Sequence, residues 1–200
     1  MKKILLLIIL INITCLPIFS SNNDNHYIGL GFGYNYFITD DTNTPTSHGP
    51  SLAFKGEDTF LNNPNVSLFS TNIFSIPLEY IKNYYSGIYQ NFSINMDSLT
   101  GINYKNTVSD NLDLYFGCGL HLNFLASDFF DTLSYKAGIG VNNGIKTKLT
   151  NKLYIDFEYN ISLDFMKYFI DSDNPEVNNY FVFDYLGSNK NAILMLTYKI

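Results

Sequence analysis

The chain has no tryptophan and no arginine, and all 12 of its basic residues are lysines, set against 18 acids for a formal net charge of −6. Nucleic-acid binding needs a basic surface that displaces counterions, so that class of partner is excluded. Cysteine is scarce, with only Cys15 and Cys118. Cys15 falls in a segment expected to be removed, so no internal disulfide is available to a secreted form. Long apolar runs are also missing. A spanning helix needs about 20 apolar residues, and the one candidate, residues 4–11, is too short. Any membrane crossing therefore has to be made by strands.

That short run follows Lys2 and Lys3 and leads into Ile18, Phe19, Ser20 and Ser21. Charged start, brief apolar core and small-residue exit are the pattern of a secretory signal peptide. Residues 1–20 are expected to be removed, leaving 21–200 as one domain. A lipoprotein cut before Cys15 is the alternative, although Asn12, Ile13 and Thr14 make a poor lipobox.

The dominant positive signal is period-two alternation over long stretches. Residues 27–37 place Ile28, Leu30, Phe32, Tyr34 and Tyr36 on one face and Gly29, Gly31, Gly33 and Asn35 on the other. Residues 112–124 oppose Leu112, Leu114, Phe116, Cys118, Leu120, Leu122 and Phe124 to Asp113, Tyr115, Gly117, Gly119, His121 and Asn123. Residues 153–165 do the same, with Asp156, Glu158 and Asp164 on the polar side. None of these apolar faces carries a charge. Transmembrane strands need about 9–11 residues, alternate apolar-out with polar-in, and tolerate charge poorly on the lipid side. Fainter strands are expected at 133–149, 85–96, 74–80 and around Ile102 and Tyr104. Pro77 lacks a ladder donor and calls for a bulge. Ser51–Gly56 is read as an extension of a long first loop, with a true strand as the alternative. Eight strands result. Short turns fall at Asn83, 109–111 and 150–152, and longer connections at 38–70, 126–132 and 166–189.

The final strand, Ala192–Ile200, puts Ala192, Leu194, Leu196, Tyr198 and Ile200 on one face. An apolar face ending on the last residue, with an aromatic two positions earlier, resembles the closing strand of bacterial outer-membrane β-barrels. Members of that family usually end in Phe, whereas this chain ends in Ile200. The resemblance covers the whole mature chain and points to the small barrels of the OmpA-transmembrane-domain and OmpX type. It implies an all-β fold, a single eight-stranded antiparallel up-and-down barrel with short periplasmic turns and longer external loops. It also implies a bacterial outer-membrane location, outer-membrane lipid as surroundings, and insertion machinery that reads Ala192–Ile200. No cofactor, metal or catalytic role is expected. The work would fall to external loops contacting a host or extracellular ligand, or to structural duty in the membrane. A small or oligomeric pore, a barrel-embedded lipid-modifying enzyme and a soluble lipocalin-like binder are the alternatives.

Within such a barrel the polar faces line the lumen. Small inward glycines leave room for bulky neighbours such as Tyr115 and Tyr154, because an eight-stranded interior is just filled by side chains. The inward charges Asp113, Lys136, Lys146, Lys148, Asp156, Glu158 and Asp164 form the candidate site, a network that plugs the lumen. A turn at 150–152 pairs Leu149 with Leu153 and sets Lys146 opposite Asp156, so those two are the expected ion pair. His121 is the weak catalytic candidate, placed near Asp113 and Asn123. It has no serine on its own inward face to complete a nucleophilic set. Asp40, Asp41, Asp171, Asp173 and Glu176 give the external loops an acidic character. The Asp171–Glu176 run lacks the glycine and distal glutamate of a calcium loop.

Overall fold

The computed structural model describes residues 26–39, 47–60, 63–76, 78–83, 87–127, 132–171, 180–182 and 187–200. The expected signal segment, with Cys15, lies outside the described residues. So do Asp40, Asp41, Asp173 and Glu176, and of Asp171 only the backbone is described.

The strands are β1 (His26–Thr39), β2 (Ser47–Phe60), β3 (Asn63–Ser75), β4 (Leu78–Asn83), β5 (Gly87–Ser109), β6 (Leu112–Ser127), β7 (Thr132–Lys148), β8 (Leu153–Asp171), β9 (Tyr180–Val182) and β10 (Gly187–Lys199). Each barrel strand pairs antiparallel with its sequence neighbour, and β1 pairs with β10 to close the ring. β4 continues β3 without a change of register: Ser75 faces Asn95, and Leu78 faces Phe92 on the same partner strand. The two ladders are separated after Ser75, and the bulge expected at Pro77 lies outside the described residues. Counting β3 and β4 as one wall gives eight strands, with β9 adding a short ribbon on β8.

Ser51–Gly56 is therefore a barrel strand, paired on both sides, and not loop. The expected strands at 85–96 and 102–104 are one strand, β5. These two corrections cancel in the strand count. Alternation in 51–56 is short and broken by small residues, which is why pattern alone undervalued it. Asn83 ends β4 at the long-loop end of the barrel. It does not mark one of the short turns at the other end, which among the described residues fall at 110–111 and 149–152.

The stagger of the closed sheet can be followed residue by residue. Glu57 pairs with Phe69, Phe69 with Gly101, Gly101 with Gly119, Gly119 with Gly140, Gly140 with Ser162, Ser162 with Asn189, Asn189 with Phe37 and Phe37 with Ser47. One circuit returns to β2 ten residues from its start, which tilts the strands and fixes a narrow interior. A bulge at Phe165 breaks the β7–β8 register between Ala137 and Gly138.

The wall is apolar outside and polar inside. Phe32, Phe116, Leu120, Leu122, Ile139 and Leu194 are more than half exposed, while Lys55, Glu57, Asp156 and Glu158 are buried. A water-soluble barrel would reverse that arrangement. The outer faces of β3 and β5 are a partial exception. They carry Ser70, Asn72, Ser98 and Thr100, with the Ser70 and Thr100 hydroxyls bonded at 2.9 Å. His26, Ile200 and the described short turns share one end, which by the rule of short periplasmic turns is the periplasmic end.

Candidate functional site

The lumen holds two polar clusters with apolar residues between them. The lower cluster, toward the short turns, is centred on Lys55. The alternation of β2 sends Leu52 and Phe54 outward, so Ala53, Lys55 and Glu57 must point inward. Lys55 Nζ donates to Glu158 Oε2 at 2.5 Å, to Asp156 Oδ2 at 3.0 Å and to Tyr115 Oη at 3.0 Å. Tyr115 Oη in turn donates to Asp156 Oδ1 at 2.6 Å. Thr71 Oγ1 and Asn160 Nδ2 both donate to Glu158 Oε1 at 2.8 Å. Lys146 Nζ reaches Glu57 Oε2 at 2.5 Å, and Ser67 Oγ donates to Glu57 Oε1 at 2.9 Å.

The register expectation is met backbone to backbone, since Lys146 faces Asp156 across β7 and β8. The expected ion pair between them is not formed. Both side chains turn away from the sheet and across the barrel, where β2 presents Lys55 and Glu57. In a lumen this narrow, a long side chain reaches the opposite wall as readily as its neighbour. Lys55, Glu57, Asp97 and Thr71 were missed because the strands holding the first two and the last were not read as barrel wall. The available signal was the inward placement of Lys55 and Glu57 opposite Leu52 and Phe54.

The upper cluster is built on His121. Its Nδ1 is 2.5 Å from Asp164 Oδ1 and its Nε2 is 2.5 Å from Asp97 Oδ1. Two acceptors on the two ring nitrogens match the doubly protonated ring. Asn189 Nδ2 donates to Asp97 Oδ2, as does Asn191 Nδ2 at 3.1 Å. Asn35 Nδ2 bridges Asn189 Oδ1 at 3.0 Å and Asn191 Oδ1 at 2.7 Å. His121 is thus held by Asp97 and Asp164, not by Asp113. Among the described residues no serine hydroxyl is bonded to it. No group of three His, Cys, Asp or Glu is placed to hold a metal ion among the described residues.

Ala53, Ile73, Ile193 and Met195 pack together between the clusters, each at most 2% exposed. The glycines of β1 make space for this layer. A side chain at Gly31 would run into Met195, and one at Gly29 would press on Thr197 Oγ1 and Lys55 Cβ at 3.0 and 3.3 Å. Tyr115 claims the space beside Gly144 instead. The other expected lumen residues are more dispersed. Lys136 is buried on β7, across from Lys167. Lys148 is half-buried beside the 149–152 turn. Asp113 sits near the short-turn end, 3.9 Å from Lys105 and accepting from Thr107 Oγ1 at 2.7 Å.

An apolar outer band, a polar inner face and a closed tilted ring now bear comparison with solved proteins. Neisserial surface protein A superposes with a TM-score of 0.54 at 14% identity, covering 88% of this chain and 97% of that one. OprG, an outer membrane protein from Pseudomonas aeruginosa, gives 0.60 at 8% identity over 90% and 99%. Ail, the attachment invasion locus protein of Yersinia pestis, gives 0.51 at 11% identity over 88% and 99%. The fold is that of the small eight-stranded outer-membrane barrels. No protein-family model and no curated protein matches the sequence. At these identities the fold is what is shared, and the wall pattern that produces it is common property of such barrels.

Proposed function

We propose that this chain is an outer-membrane barrel closed to ions, whose work is done by its external loops at the cell surface or by its presence in the membrane. The observation that carries this reading is the layering of the lumen. A bonded cluster around Lys55, the apolar layer of Ala53, Ile73, Ile193 and Met195, and a bonded cluster around His121 succeed one another along the axis. A conducting path needs water-lined polar surface from end to end. An apolar layer in a filled interior interrupts it. The fold of Ail supports the loop-mediated alternative only as a precedent for the architecture, and the loop chemistry here is this chain's own. The closing strand Ala192–Ile200 is the segment we assign to recognition by the insertion machinery.

The test is conductance of the purified full-length barrel in planar bilayers at high salt. The expected result is no discrete channel steps from the wild-type protein, with steps appearing when Ile73 and Ile193 are both changed to Ser. Stable unitary steps from the wild type overturn the plugged-lumen reading in favour of a pore.

A further inference from the structure

On β10, the place of Lys190 in the alternation turns it to the outside of the barrel. It follows Asn189, which is fully buried in the lumen, and precedes Asn191, also buried there, so Lys190 lies on the opposite face with Ala192, Leu194 and Leu196. It pairs with Ile161 of β8 and with Tyr36 of β1. Beyond Ile161, toward the long-loop end, β8 still presents Leu163 and Phe165 to the outside, at 48% and 45% exposure. Lys190 therefore sits within the upper margin of the apolar band. The side chain is half-buried, and among the described residues no carboxylate pairs with it.

A lysine on the lipid face is costly at mid-depth and tolerated near the interface, where its long stem carries the ammonium outward. The neighbours of Lys190 are those of an interface. Tyr36 faces His48 on the next strand, so Lys190, Tyr36 and His48 form a cross-strand row over three adjacent strands. The Tyr34 hydroxyl lies 2.5 Å from His48 Nδ1, and the two rings stack with centroids 5.8 Å apart. The Tyr36 ring lies tilted beside the imidazole, with centroids 6.4 Å apart. One fixed positive charge, a tyrosine hydroxyl and an imidazole braced by aromatic rings thus sit side by side at the outer rim. All are on the lipid side, and none belongs to the lumen.

We propose that the Lys190–Tyr36–His48 row binds the anionic head group of an outer-leaflet lipid, with the acyl chains lying along Leu194, Phe32 and the rest of the uncharged wall below. Charge complementarity selects this occupant: an ammonium that no carboxylate pairs with among the described residues, at the upper margin of the apolar band, meets an anion supplied by the membrane itself. The inference rests on the membrane-embedded reading, and the experiment is arranged so that the two can fail separately.

The full-length barrel in detergent is titrated with phosphatidylglycerol and, separately, with phosphatidylcholine of the same acyl chains, and bound lipid is counted by native mass spectrometry. A heated-versus-unheated SDS gel on every sample reports whether the barrel is folded. The wild type is expected to retain phosphatidylglycerol preferentially. Lys190→Gln should lower that preference about fivefold, the equivalent of the ~1 kcal/mol that one lysine contributes near an anionic surface. Lys190→Arg should keep it, and Asp58→Asn, on the outer face at the opposite end, should not change it. Equal retention of the two lipids by a folded wild type overturns the proposal, as does unchanged preference in folded Lys190→Gln. Displacement of phosphatidylglycerol by equimolar inorganic phosphate also overturns it, because the row would then be a simple anion site. Absence of a heat shift in the wild type would instead count against the membrane barrel itself.

Discussion

Replacing Lys55 with Met is the sharpest test of the lumen. The substitution keeps the stem and removes one ammonium from among Asp156, Glu158 and Tyr115, with donor distances of 2.5–3.0 Å. At an effective dielectric of about 20, a charge pair near 3 Å is worth roughly 5 kcal/mol of gross attraction. Desolvating the ammonium offsets several kcal/mol of this. What remains is dominated by the two carboxylates left behind, both fully buried. Removing one partner from a buried charge cluster costs about 3–5 kcal/mol, a large fraction of any domain's stability. The assay is reversible urea unfolding in lipid vesicles, followed by the heat-dependent gel shift. Lys55→Met should lose about 3–5 kcal/mol. Adding Glu158→Gln should recover much of it, since the neutral amide removes the uncompensated charge while still accepting from Thr71. A loss under about 1 kcal/mol, the range of an exposed pair, would refute the placement of Lys55 at the centre of the cluster. Failure of Glu158→Gln to rescue would refute the charge argument even if the loss were large.

Exchanging the charges of Lys146 and Glu57 together should restore stability lost in either single change, whereas exchanging Lys146 and Asp156 should not, as a double-mutant unfolding cycle would show. Rescue by the second exchange would mean that neighbours along the sheet pair and partners across the lumen do not. Leu120→Lys places a charge on the open lipid face, where the residue is 69% exposed. It should cost about 2–4 kcal/mol near mid-depth and reduce the heat-shifting band in membrane fractions; normal assembly would remove the lipid-facing assignment.

Much of the wall was legible because lipid imposes a simple rule. Every outward residue of β6 and β8 in the band had to be uncharged, so 112–124 and 153–165 announced both their faces and their lengths. The turn at 150–152 set the β7–β8 register correctly down to Lys146 opposite Asp156. The first half of the chain was less legible. β2 mixes Pro50, Ala53 and Gly56 into its alternation, and β3 and β4 are two ladders of one wall, so local periodicity weakened where the tertiary ring was still continuous. The candidate site was legible as a set of inward charges and illegible as a set of pairs. His121 could be placed inside from its own strand alone, but Asp97 and Asp164 come from β5 and β8, on either side of its strand or beyond.

The sequence by itself determined which side of each strong strand meets lipid, because alternation and the cost of charge in hydrocarbon act locally, residue by residue. It determined the all-β class, the strand direction of its C-terminal half and the presence of opposed charges in the interior. Only the tertiary structure decided which of those charges meet. Closure with a stagger of ten residues brings β2 across from β7 and β8. In an interior that narrow, Lys55 and Glu57 become the partners of residues about a hundred positions away, and backbone neighbours such as Lys146 and Asp156 part company. Pairing in this lumen is a property of the ring's diameter and tilt, which no single strand encodes.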